Sequence, residues 1–119
     1  MPSSLVSDLV AKRCKACAPG TPPVAESRVR EVLRELPGWE LVAGGKEIAK
    51  TYKFANYHET IAFVNATAWI SHREDHHPDL EVGYNRCRVR YSTHSIGGVS
   101  DNDLICSAKV ESLVTAGAA

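Results

Sequence analysis

Residues 87–93 constrain the fold more than any other segment of this chain. The run begins Cys-Arg-Val-Arg-Tyr, and alternating apolar and charged residues are typical of a strand with one buried and one solvated face. Residues 81–84 form a shorter strand-like run, and Asn85-Arg86 separate the two. The two runs therefore predict a hairpin, and its two unlike faces favour an antiparallel sheet.

Turn and cap residues mark the other predicted elements. Residues 39–42 and 48–54 flank Gly44-Gly45 and predict another hairpin. Apolar residues at helical spacing predict helices over 26–36, over about 56–73 and from residue 100 onward. Asn56 with Glu59, and Ser100 with Asp103, have the spacing of capping boxes that open the last two of these helices.

The order helix, strand, strand, helix, strand, strand, helix predicts an α+β fold. We expect a four-stranded antiparallel sheet with three helices packed on one face. Residues 1–24 end in a stretch rich in proline and glycine, so we interpret them as an N-terminal arm of extended chain. Residues 25–119 are predicted to form a single domain, and 119 residues can bury a sufficient core without disulfides or metal.

Composition and charge exclude several classes of partner. Lys and Arg number 14, and so do Asp and Glu, so the chain lacks the basic surface that binds nucleic acid or anionic membranes. Its longest apolar stretch falls short of the ~18 residues that a membrane-spanning helix needs. The N-terminus has no basic, apolar signal pattern. We therefore expect a cytoplasmic protein whose four cysteines remain thiols.

Three of the five histidines, His76, His77 and His94, bracket the second hairpin. Because an antiparallel return brings the end of one strand near the start of the other, we expect these imidazoles to face one cavity. An imidazole titrates near neutral pH, so the cluster suggests proton transfer. Asp75 and Asp103 could orient an imidazole or bind a polar substrate edge. Alternatively, they are only a helix-end carboxylate and a helix cap.

Metal binding is the competing chemistry for these residues. His72 and His76 are four residues apart, as ligands on one helix face would be, and His94 could be a third ligand. No Glu stands between the first two as in an H-E-x-x-H motif. Cys14 and Cys17 lack the second cysteine pair that a closed zinc site requires. The metal hypothesis therefore has the weaker support.

A set of short motifs resembles the signature of the pterin-4a-carbinolamine dehydratase family: Asp75-His76-His77-Pro78, Tyr84-Asn85, Ser92-Thr93-His94, Gly98 and Asp103. The resemblance extends over about residues 27–115, and this chain departs from the family pattern at His72 and Leu80. It implies a hydro-lyase that removes water from 4a-hydroxytetrahydropterin and gives quinonoid dihydropterin, which recycles the tetrahydropterin cofactor of hydroxylases. It also implies that neither a metal nor an organic cofactor is needed.

The resemblance also assigns site residues. It implies catalytic roles for His76, His77 and His94, and substrate contacts for Asp75, Ser92, Thr93 and Asp103. We expect His76 and His94 to donate and accept protons, and His77 to position the ring.

Partners follow from the same resemblance. It implies a homo-dimer or homo-tetramer and a possible functional link to an aromatic amino acid hydroxylase. The alternative is a non-catalytic interaction module, either a dimerisation cofactor or an assembly factor. Such a module has no need of three histidines together, so the histidines favour the enzyme.

Overall fold

The structure is a computed structural model that describes residues 4–18 and 20–117. Its elements in chain order are α1 (Ser4–Ala11), α2 (Glu26–Leu33), β1 (Glu40–Val42), β2 (Glu47–Lys53), α3 (Tyr57–Glu74), β3 (Asp79–Val82), β4 (Arg86–Tyr91) and α4 (Asp101–Gly117). Short 3-10 turns follow β1, at Ala43–Gly45, and β4, at His94–Ile96. The α+β class predicted from the sequence is confirmed.

The four strands form one antiparallel sheet in the order β1-β2-β4-β3. In the central pair, Tyr52 lies opposite Cys87 and Ile48 lies opposite Tyr91. Buried and more exposed residues alternate along β4, as the sequence pattern predicts. The other hairpin strand lies at 79–82 rather than 81–84, because the turn closes through a hydrogen bond of 2.8 Å from the Gly83 N–H to the Arg86 carbonyl.

The caps predicted for α3 and α4 are present. The Asn56 side chain accepts a hydrogen bond of 2.9 Å from the Glu59 N–H, which satisfies a backbone donor that the first turn of α3 leaves unpaired. At α4, the Asp103 carboxylate accepts a hydrogen bond of 2.8 Å from the Ser100 N–H. α2 ends at Leu33, about one turn before Pro37-Gly38.

The prediction of three helices was one too few. Residues 4–11, which we interpreted as extended arm, form α1, which packs against α4. Leu9 is buried on this contact, and Lys109 of α4 donates a hydrogen bond of 2.7 Å to the Val10 carbonyl. Leu5 and Leu9 have helical spacing, but the proline-rich segment that follows dominated the interpretation. Between α1 and α2, the described residues of the arm form no helix or strand.

The core lies between the helices and the buried face of the sheet. Val29 and Val32 of α2, Val89 of β4, and Leu104 and Val110 of α4 are all at most 1% exposed. Burying each such side chain stabilises the fold by about 1.5–3 kcal/mol. Within the described residues, no helix is long and apolar enough to cross a membrane.

Candidate active site

The turn that ends α3 sets the position of His76. Asp75 adopts the left-handed conformation with φ 51°, which Asp tolerates better than most residues because its short polar side chain can bond locally. The His76 N–H then donates a hydrogen bond of 3.2 Å to the Ser71 carbonyl. The His76 ring stacks on the buried Tyr91 of β4, with 5.8 Å between ring centroids and 12° between planes. The imidazole is therefore held by the core.

The partner of His76 is Asp103, from the first turn of α4. The distance from His76 Nε2 to Asp103 Oδ1 is 2.5 Å, and the Asp103 side chain is fully buried. Asp103 Oδ2 accepts hydrogen bonds of 2.8 Å from the Thr93 hydroxyl and from the Ser100 N–H. Asp103 therefore both caps α4, through Oδ2, and contacts an imidazole, through Oδ1.

The contact with Asp103 determines which ring nitrogen of His76 carries the hydrogen. A carboxylate only accepts hydrogen bonds, so Nε2 carries the hydrogen that it shares with Asp103. Nδ1 is then the ring nitrogen that can exchange a proton with another molecule. Buried carboxylates are stable only when their oxygens are hydrogen-bonded, and Thr93 and Ser100 meet this condition for Asp103. The geometry suits general acid or base chemistry.

Two cavities border this region. One, the His76 cavity, measures about 350 Å³ and is lined by His76, Asp75, Thr93 and residues 14–17 of the arm, among others. The other, the His94 cavity, measures about 440 Å³ and is lined by His94, Ser92 and Thr93, among others. Both volumes fall within the roughly 300–1,000 Å³ typical of small-molecule sites. α1, the arm and α4 border a further cavity of about 540 Å³. None of the predicted site residues lines it.

Apart from His77, each predicted site residue either lines a cavity together with Thr93, which borders both cavities, or bonds to Thr93. His76 and His94 lie in different cavities, whereas the sequence suggested a single one. His77 is exposed and lines neither of the two in the described part of the chain. The roles assigned to the individual residues stay predictions.

The residues of the metal hypothesis lie apart. His72 is exposed, and its ring lies 5.6 Å from that of Trp69. Cys14 lies beside Cys106 of α4, with 3.5 Å between the two sulfur atoms. Across residues 4–18 and 20–117, no group of three or more His, Cys, Asp or Glu side chains is arranged to hold a metal ion.

Sequence reasoning missed Glu74, which lines the His76 cavity. Its side chain is 4% exposed, lies 2.9 Å from Arg13 Nε, and accepts a hydrogen bond of 2.8 Å from the Cys14 N–H. Burial alone would raise the pKa of Glu74. The Cys14 N–H, Lys109 and Arg13 outweigh burial and hold that pKa below its ordinary value. A glutamate at a helix end carries no sequence signal of such a role.

The fold and site define a class of protein: a small α+β domain in which a buried aspartate pairs with a partly exposed histidine at the edge of a ligand-sized cavity. The sequence model of the family "Pterin 4 alpha carbinolamine dehydratase" matches residues 22–113, and the chain belongs to this family. The resemblance noted in the sequence is therefore confirmed at the level of the family.

Relatives and solved structures agree with this assignment. A protein of Nitrosospira multiformis, provisionally named pterin-4-alpha-carbinolamine dehydratase, is 53% identical over 91% of this chain and 94% of its own length. The structure of a transcriptional coactivator/pterin dehydratase from Brucella melitensis has a TM-score of 0.73 and 33% identity, and the match covers 76% of this chain and 97% of that one. A pterin dehydratase-like RuBisCO assembly factor of the alpha-carboxysome shares the fold, with a TM-score of 0.56 and 22% identity over 64% of this chain and 88% of that one.

Proposed function

We propose that this chain dehydrates a 4a-hydroxytetrahydropterin to the quinonoid dihydropterin by histidine acid and base catalysis. The C4a–O bond breaks and the hydroxyl leaves as water after it gains a proton, while N5 loses a proton as the C4a–N5 double bond forms. Protons balance within the step, so the enzyme only needs one group that donates a proton and one that accepts one. Membership of the dehydratase family supports this reaction.

The His76–Asp103 pair is the single observation that carries the proposal. Asp103 is fully buried and accepts the hydrogen of His76 Nε2, which leaves Nδ1 as the ring nitrogen that can exchange a proton. The stacked Tyr91 and the hydrogen bond to Asp103 hold the imidazole in one orientation. His76 can therefore take up a proton at Nδ1 without moving and can return it to a bound molecule.

We assign the complementary proton transfer to His94, which follows Thr93 directly in the chain. Since His94 lines the cavity next to that of His76, one pterin must then lie across Thr93, which borders both cavities. Thr93 is buried and bonded to Asp103, so the backbone that carries His94 is anchored to the partner of His76. We assign His77, which is exposed, to positioning the pterin. We assign contacts with polar groups of the ring to Asp75, which borders the His76 cavity, and to Ser92, which borders the His94 cavity.

The test is a dehydration assay on 4a-hydroxytetrahydropterin generated by a hydroxylase. His76→Ala and His94→Ala should each lower kcat by about two to four powers of ten, while circular dichroism shows a folded protein. His58→Ala is the matched control, because His58 is an exposed histidine at the opposite end of α3. Wild-type turnover in both site variants would overturn the assignment of these histidines.

The pterin would reach this enzyme from an aromatic amino acid hydroxylase, whose reaction forms the 4a-hydroxy compound.

We propose a homo-oligomer as the active form. Trp69 on α3 is 60% exposed, and Tyr57 of the same helix is 49% exposed; apolar surface of this kind favours burial against another subunit. Light scattering should give a mass of two or four chains, and a monomer at assay concentration would contradict this.

An interaction module is the second candidate, favoured by the same exposed aromatic residues and by the fold shared with the assembly factor. The two functions differ in what they require. A module would keep its partner in a His76→Ala/His94→Ala double variant, whereas an enzyme would lose its activity in it. The same variant therefore separates the two hypotheses.

A further inference from the structure

The arm contributes a wall of the His76 cavity. Residues 14–17 line it together with Glu74, the last residue of α3, and with Asp75 and His76, which follow that helix. These arm residues lie outside residues 22–113, which the family model matches. The shape of this cavity therefore depends on a segment that the family pattern does not describe.

Asn102 of α4 holds the arm through two hydrogen bonds with the backbone of one residue. The Lys15 N–H donates to Asn102 Oδ1 at 3.0 Å, and Asn102 Nδ2 donates to the Lys15 carbonyl at 2.6 Å. A side-chain amide that bonds both polar groups of one residue fixes the position and the orientation of that backbone. Asn102 also lines the His76 cavity and adjoins Asp103 in the chain.

A second contact fixes the other side of the same segment. Glu74 receives the Cys14 N–H and pairs with Arg13 Nε, which lies 2.9 Å from its carboxylate. Arg13 also donates a hydrogen bond of 3.0 Å to the Arg73 carbonyl at the end of α3. Residues 13–15 thus connect the end of α3, which His76 follows closely, to the first turn of α4, which contains Asp103.

We propose that residues 14–17 form part of the substrate-binding surface, and that Asn102 is the positioning residue that holds them against the His76 cavity. The inference rests on the proposed pterin reaction, because it names which residues enclose the pterin at His76. Asn102 does not act on the reacting atoms. Its loss widens the cavity and weakens binding, while the His76–Asp103 pair stays intact.

The experiment compares Asn102→Ala with Asp101→Ala, which changes the exposed neighbouring residue on the same turn of α4. Asn102→Ala loses two hydrogen bonds to the Lys15 backbone and a weaker one of 3.8 Å to Cys17 Sγ, so KM for the pterin should rise about tenfold, with kcat within about twofold of wild type. Asp101→Ala should change neither constant appreciably. A fall in kcat at constant KM would overturn the positioning role.

The position of the arm can also be measured without an activity assay, through the chemical accessibility of Cys14. Cys14 is half-buried beside Cys106, so its alkylation by N-ethylmaleimide, read by tandem mass spectrometry, reports release of the arm. The rate should rise at least about tenfold in Asn102→Ala, because local opening governs access to a covered group. In the wild type, 7,8-dihydrobiopterin should slow the labelling of Cys14, since Cys14 lines the same cavity as His76.

These measurements test the proposed role of the arm separately from the proposed dehydratase reaction. If labelling of Cys14 accelerates but KM does not change, the arm is released without loss of binding and the wall proposal is wrong, while the dehydratase stands. If the wild type has no dehydratase activity but the dihydropterin protects Cys14, the reaction is wrong and the wall stands. Should Asn102→Ala fail to fold, Lys15→Pro removes the N–H that Asn102 accepts and leaves α4 unaltered.

Discussion

Replacing Asp103 by Asn removes the carboxylate that pairs with His76. The change keeps the size of the side chain but makes it neutral. One oxygen of Asp103 must still accept the Ser100 N–H and the Thr93 hydroxyl, 2.8 Å away. The amide oxygen will take this place, so the amide nitrogen will face His76 Nε2, which lies 2.5 Å from the carboxylate in the wild type. A donor there forces Nε2 to accept and moves the ring hydrogen to Nδ1.

The magnitude follows from these contacts. A hydrogen bond to a charged group contributes about 1.5–3 kcal/mol, so losing the carboxylate that accepts the hydrogen of His76 Nε2 costs about one to two powers of ten in rate. The wrong tautomer adds to this loss, because Nδ1 no longer has a free lone pair. We therefore expect kcat to fall by about two to four powers of ten, within the range of general acid–base catalysis.

The assay is pterin dehydration under saturating substrate, with Asp101→Asn as the matched control. Asp101 is an exposed acid two positions earlier in α4, so its variant makes the same chemical change near the same helix end. Urea unfolding should show that Asp103→Asn is still folded at the assay temperature. If the two variants have equal kcat, the carboxylate does not assist His76 and the reasoning from the His76–Asp103 pair fails.

Two further predictions concern stability. Since the pKa of Glu74 is lowered from its ordinary 4.5, its ionised form stabilises the fold above about pH 4.5, and this stabilisation is lost as the pH falls through the lower folded value. The difference in free energy of unfolding between wild type and Glu74→Gln should therefore shrink from pH 7 to pH 3 in urea titrations; a constant difference would contradict this. The Tyr52 hydroxyl donates a hydrogen bond of 2.6 Å to the buried Glu111. Tyr52→Phe should therefore lower the free energy of unfolding at pH 7 by about 1.5–3 kcal/mol. An unchanged urea midpoint would show that this hydrogen bond makes no net contribution to stability.

The elements that the sequence predicted correctly share a local cause. The alternation in residues 87–91 records which side chains of β4 face the core, because side chains in a strand point alternately to its two faces. Asn56 and Ser100 mark helix starts, because a cap is formed within four residues. α1 was missed because its apolar pattern covers only eight residues, and so short a helix owes its stability to packing on α4 rather than to its own sequence.

The site was predictable in its residue types and less so in its geometry. A histidine-rich signature could be read from the chain because its members are close together in sequence. The residues that contact these side chains in the folded protein are distant in sequence. Asp103 lies 27 residues from His76, and Cys14 lies 60 residues from Glu74. Contacts between such residues arise only when helices pack, so no local pattern encodes that Thr93 borders both cavities or that the arm encloses one of them. Periodicity and caps thus carry the elements and the candidate chemistry, whereas packing selects which acid meets which imidazole and what surrounds it.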